Sequence, residues 1–152
     1  MEIRDYVPAD AAAFRELNVD WIRKHFAMEA PDYELLDRPD EAIIQPGGRI
    51  FMAFEGDRAV GCCALVPVAP GVFELAKMTV AEEFRGRGMG RRILDHAVDQ
   101  ARRSGASRLV LETNHKLEDA IHLYQAAGFR HVATGASSSY GRVDVHMALN
   151  LR

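Results

Sequence analysis

Apolar positions along the chain switch between two spacings, and the switches mark out the elements. Ile3 and Val7 flank Arg4, Asp5 and Tyr6, which reads as a first strand over residues 2–7. Pro8-Ala9-Asp10 suits a helix entry. Phe14, Leu17, Trp21, Ile22 and Phe26 then fall near helical spacing, which predicts a helix to about His25. Residues 27–46 are less regular and read as one or two short helices broken near Pro31 and Pro39. Residues 49–55, 59–68 and 72–80 read as strands, joined by Gly56-Asp57-Arg58 and then by Pro70-Gly71. Three antiparallel strands in succession is the natural inference.

The second half changes period. Ile93, Leu94, Ala97, Val98 and Ala101 mark one helical face, ended by Gly105. Residues 108–112 form a short strand centred on Leu109-Val110-Leu111. Leu117, Ala120, Ile121 and Tyr124 follow i, i+3, i+4, i+7, and Gly128 closes that helix. Residues 129–134 read as a strand, 135–141 as a Gly/Ser-rich loop, and 142–149 as a last strand alternating Val143, Val145 and Met147. The expected fold is α/β: a mixed, mainly antiparallel central sheet flanked by helices, with a β-α-β crossover between strands 72–80 and 108–112. Nothing divides the 152 residues, so residues 1–152 are expected to form one domain with a sizeable core.

Composition narrows the function classes. With 19 basic and 22 acidic residues the formal charge is −3, which argues against general affinity for nucleic acid. The start Met1-Glu2-Ile3-Arg4-Asp5 lacks the apolar core of a secretion signal, and no apolar run approaches membrane-spanning length. The two cysteines, Cys62 and Cys63, are adjacent, cannot readily bridge, and are too few for a disulfide framework. A reducing cytoplasm is the expected home, with no membrane or nucleic-acid partner. His115 and His122 lack metal-ligand spacing and no His-Glu-x-x-His occurs, so no metal is expected. Neither cysteine has an adjacent base that would mark it as a nucleophile.

The strongest chemical signal is Arg85-Gly86-Arg87-Gly88-Met89-Gly90-Arg91-Arg92, between an extended apolar stretch and a helix. Alternate glycines let main-chain N–H groups crowd together, and the helix start adds its positive dipole end. Four arginines surround them. The segment suits a polyanion, most simply a pyrophosphate. A Walker loop would end in Gly-Lys-Ser/Thr, whereas Arg91-Arg92 follows Gly90. A Rossmann fingerprint read from Gly86 would need glycine at Arg91, although Glu112 stands about where a ribose-binding acid is expected. A plain surface turn is the bland alternative.

Three features coincide: the strand Phe73-Glu74-Leu75-Ala76-Lys77-Met78-Thr79-Val80, the loop Arg85-x-x-Gly88-x-Gly90, and Ala120-x-x-Leu123-Tyr124-x-x-x-Gly128-Phe129. Together they resemble the GNAT superfamily of acyl-CoA-dependent N-acetyltransferases. The resemblance implies that main-chain N–H groups at Arg87, Gly88, Met89, Gly90 and Arg91, with Arg85 beside them, bind the pyrophosphate of acetyl-CoA. It implies that Met78 and Val80 pair with the pantetheine arm and that the Met78 N–H faces the oxyanion. Glu74 matches the general base and Tyr124 the general acid. Physical chemistry favours both, since desolvation raises a carboxylate on an apolar face toward neutrality and a phenol keeps its proton at pH 7. One departure stands out. The family often has asparagine where Leu117 lies, and the nearest, Asn114, is a candidate for the cofactor contact or a helix cap. Arg102, Arg103 and Arg108 suit either the CoA 3′-phosphate or a solvated helix end.

The expected activity is acetyl transfer from acetyl-CoA to a primary amine of a small molecule or peptide, by direct attack in a ternary complex. A homodimer is compatible with the resemblance. The rivals are a non-catalytic acyl-CoA sensor or scaffold, an NAD or ATP module, and an RNA-binding arginine patch. The acids between Glu29 and Glu41 either attract a cationic amine or form a solvated helix face. Tyr140 lies in the loop expected to close the other side of the cleft.

Overall fold

A computed structural model describes residues 1–133 and 138–152. Its centre is a seven-stranded sheet, in the order β1-β2-β3-β4-β5-β7-β6. The strands are β1 (Glu2–Asp5), β2 (Arg49–Glu55), β3 (Arg58–Ala69), β4 (Val72–Val80), β5 (Arg108–Thr113), β6 (Arg130–His131) and β7 (Val145–Asn150). Among the described residues, only the β4–β5 pair is parallel. The crossover between those two strands is α3 (Met89–Arg103), as the glycine loop and the downstream helical pattern predicted. The remaining α-helices among the described residues are α1 (Ala11–His25), α2 (Ala30–Asp37) and α4 (Glu118–Ala126), and a π-helical turn spans Asp40–Ile44.

Strand alternation divides the core between the two faces of the sheet. Phe51, Cys63, Leu65, Leu75, Leu109, Leu111 and Met147 face α3, whose Ile93, Leu94, Ala97, Val98 and Ala101 close over them. Met52, Cys62 and Ala64 point the other way, toward Phe14, Val19 and Ile22 of α1 and Leu36 of α2. Full burial of a Leu, Ile or Phe side chain stabilises by about 1.5–3 kcal/mol, so α1 and α3 are held chiefly by their buried apolar stripes.

Several expected boundaries move. The first strand stops at Asp5, and Pro8–Asp10 form a separate short 3-10 turn before α1. Pro31 does not break a helix. It lies in the first turn of α2, where a missing N–H is harmless, and Asp32 accepts the Glu29 N–H at 2.9 Å. The last strand begins at Val145 instead of residue 142, because Arg142 is drawn off the sheet toward α2. The expected strand at 129–134 shortens to Arg130–His131, and the loop expected at 135–141 lies partly outside the described residues.

Two irregularities matter more. Strands β4 and β5 pair only through Val72, Phe73 and Glu74, after which they diverge. On the other edge of β4, Cys62 faces Thr79 and Ala64 faces Ala76, so β4 carries one extra residue there. Lys77 sits in this bulge at φ 52°, a conformation uncommon for a residue with a side chain.

Candidate functional site

The divergence of β4 from β5 opens a cleft of about 520 Å³ that reaches both faces of the sheet. Its walls include Trp21 of α1 on one face and Tyr124 of α4 on the other. The bulge decides which side chain looks where. Glu74 pairs with Val66 and so looks toward α1 and α2. Unbroken alternation would have placed Met78 and Val80 on that same face. The extra residue reverses them, and both pack with the α3 and α4 side.

At one end of the cleft lies the glycine loop. Gly86 and Gly88 both have φ 76°, and a Cβ at either would meet open space, so conformation alone calls for glycine there. Arg85 N–H bonds Glu82 and Arg92 N–H bonds Gly88, but among the described residues the N–H groups from Gly86 to Arg91 have no acceptor. They sit at the start of α3, so the loop is a ready anion cradle. Arg85 Nε donates to Val80 O at 3.1 Å and ties the loop to the end of β4. Met89 is buried, and a Cβ on Gly90 would touch Leu123 and Val80. The side chain of Arg91 bonds Asp95 and that of Arg87 lies over Phe84, so both run along the surface.

In the middle, Glu74 is half-buried with Glu112 beside it. Burial and that neighbouring carboxylate push the Glu74 carboxyl up to about 7, against the opposing pull of Lys77. Glu112 lies directly opposite His146 in the β5–β7 ladder, with 3.9 Å between His146 Nδ1 and its Oε2. Among the described residues, that Oε2 is buried without a hydrogen-bond partner. Tyr124 borders the cleft from the opposite face, and burial pushes its phenol up. Cys63 lies near it, and burial drives that thiol well above the usual range.

The far end holds a buried ion cluster. Asp32 is wholly buried. Lys77 Nζ donates to its Oδ1 at 2.5 Å, and Arg142 grips both oxygens at 2.6 and 2.8 Å. Arg142 also reaches Glu29 at 3.2 Å. The Tyr140 ring lies under both cations, 4.8 Å from Lys77 Nζ and 4.5 Å from the Arg142 guanidinium. Two cations and the Glu29 N–H hold the Asp32 carboxyl down at about 2 despite burial.

Glu74, Tyr124, Met78, Val80 and the glycine loop, separate in sequence, thus meet at one cleft. Asn114 also borders it, but its Nδ2 donates to Arg142 O at 2.8 Å and its Oδ1 accepts Lys116 N–H at 2.9 Å. Arg102 and Arg103 fall in the last turn of α3. Reasoning from sequence missed Lys77, Arg142 and His146, and saw Glu112 only as a ribose acid. Lys77 left one signal, as a lone charge amid Leu75, Ala76 and Met78. Arg142 left none, because its partners lie 110 and 113 residues away.

A sheet opened beside a bulge, above N–H groups at a helix start, is an acyltransferase architecture, and the comparisons give it a family. The acetyltransferase (GNAT) family model matches residues 12–129, and the chain belongs to that family. It is 30% identical to the uncharacterized N-acetyltransferase YjgM of Escherichia coli (strain K12), over 93% of this chain and 86% of that one. It is 34% identical to the IAA acetyltransferase of Azospirillum brasilense, over 59% of each chain. A GNAT-family acetyltransferase from Staphylococcus aureus Mu50 shares the fold at a TM-score of 0.89 and 18% identity, covering 99% of both chains. The yncA protein of Salmonella typhimurium, solved with its cofactor acetyl-CoA, superposes at a TM-score of 0.78 and 21% identity, over 100% of this chain and 94% of that one.

Proposed function

We propose that this protein transfers an acetyl group from acetyl-CoA to a primary amine by direct attack in a ternary complex. The observation that carries the reading is the bulged gap between β4 and β5, with Glu74 on one side and Tyr124 on the other. The free N–H groups from Gly86 to Arg91 suit the pyrophosphate of the donor. Acetyl-CoA supplies the acyl group as an activated thioester.

The protein's side chains handle the protons. An ammonium has no lone pair, so the acceptor must lose a proton before its nitrogen bonds the acyl carbon. Glu74, poised near pH 7, takes that proton. The bulge frees main-chain groups of β4 from the ladder, and the Met78 N–H supports charge growing on the carbonyl oxygen. As the carbon–sulfur bond breaks, Tyr124 gives its proton to the sulfur, and solvent later restores both groups. A phenol pushed up by burial would be a poor acid toward a thiol in water. The leaving thiolate forms in the same desolvated cleft, which disfavours its charge as well and so favours its taking the phenol's proton.

Substitution of Tyr124 by Phe tests the assignment. Thiol release should fall about 100-fold or more while acetyl-CoA affinity is kept. Unchanged turnover would remove Tyr124 from the chemistry.

A further inference from the structure

The charge balance of the acceptor end is uneven, and that unevenness selects a substrate. Resting on the transferase reading above, we infer that the acceptor is a small primary amine with an apolar or aromatic body and no carboxylate, its ammonium received between Glu74 and Glu112.

The first support is a count of available cations. An amino-acid acceptor would bring an α-carboxylate into the cleft within a few ångströms of its amine. A carboxylate removed from water needs a cation or several donors. The cations lining the described cleft are Lys77, Arg142 and Arg85. Arg85 belongs to the glycine loop. Lys77 and Arg142 are both committed to the buried Asp32, and Arg142 also to Glu29. Residues 134–137, which lie outside the description, are Thr-Gly-Ala-Ser and carry no charge.

The second support is the surplus of acid. Glu74 and Glu112 lie on neighbouring strands and on the same face, beside the point where the strands separate. Among the described residues, Oε2 of Glu112 is buried with no hydrogen-bond partner, its basic neighbour is His146 at 3.9 Å, and the Glu112 carboxyl otherwise meets that of Glu74. An ammonium donates three hydrogen bonds and would satisfy that oxygen. The third support is the wall. Trp21, Ile22, Phe26 and Leu35 border the cleft on the face toward which Glu74 looks. A polyamine would set its second charge against these side chains.

Three amines separate the possibilities when thiol release is followed at saturating acetyl-CoA: 2-phenylethylamine, L-phenylalanine and 1,4-diaminobutane. The first two differ only by the carboxylate. The α-amino group of the amino acid is the less basic, so easier deprotonation would favour phenylalanine if nothing else decided. We expect kcat/KM to be about 100-fold higher for 2-phenylethylamine than for either other amine. The variant Glu112→Gln should raise KM for 2-phenylethylamine about tenfold and leave acetyl-CoA affinity unchanged. Equal or better use of phenylalanine or the diamine overturns the inference, and so does an unchanged KM in the variant. If acetyl-CoA binds and none of the three is acetylated, this acceptor class falls and the donor site stands. If acetyl-CoA does not bind, the transferase reading itself falls.

Discussion

Asp32 and Glu74 are carboxylates near one cleft with opposite electrostatics. Asp32 is held low by two cations, whereas Glu74 is raised by burial and by a second acid. For Asp32 the unfolded state takes up protons first as pH falls. Its contribution to stability is therefore full above about pH 4 and is lost as pH drops toward 2. Asp32→Asn would leave Lys77 and Arg142 buried against a neutral group. It should lower stability by about 3 kcal/mol or more at pH 7, measured by denaturant unfolding, and flatten the acid dependence. Glu74 has the reverse sign. Its raised carboxyl favours the folded state below about pH 4.5, and that advantage is lost as pH rises through about 7. If Glu74 is the base proposed above, its ionised form is needed, so kcat/KM should fall below about pH 7 in the native enzyme. Glu74→Gln should lose that acid limb and follow the titration of the amine itself. Its deficit should be largest near neutrality and shrink at alkaline pH. A deficit that does not vary with pH would argue against a basic role.

At the scale of elements, α1, α3, α4 and the meander were legible from their apolar periods, whereas α2 was not, because it is short and carries Pro31 in its first turn. The five apolar positions read from residues 93–101 are all buried in α3. The bulge was not legible. Lys77 sits at positive φ, where propensity would place glycine, and it is held by a partner 45 residues away. That one residue puts Met78 and Val80 on the opposite face of the sheet from Glu74. The glycine loop was legible because its chemistry is local. Gly88→Ala tests it cleanly, since an added methyl group meets nothing and only the backbone conformation is strained. The expected result is a loss of about 1–2 kcal/mol in stability, from thermal unfolding, and roughly tenfold weaker acetyl-CoA binding. Full retention of affinity would mean that the loop geometry does not hold the donor.

Across the whole molecule, the sheet works as a partition with one opening. On the proposed reading, donor-side groups come from α3, α4 and the end of β4, and acceptor-side groups from α1, α2 and the approach to β7, all of which line the cleft. On that reading the donor half was the more legible, because its parts are short local motifs, the glycine loop and the helix around Tyr124. Most of the acceptor half was not, because it is assembled from pairs such as Asp32 with Arg142 that only the folded chain brings together. Acidic residues between Glu29 and Glu41 could be seen in the sequence, but not that Asp32 among them would be buried and neutralised. The proposed function stands or falls on whether the cradle at the start of α3 takes acetyl-CoA. Calorimetric titration with acetyl-CoA, using NADH and ATP as controls, tests it most directly. Saturable binding of acetyl-CoA with little or none for either control is the outcome expected here. A preference for NADH or ATP, or no heat with acetyl-CoA, would contradict it.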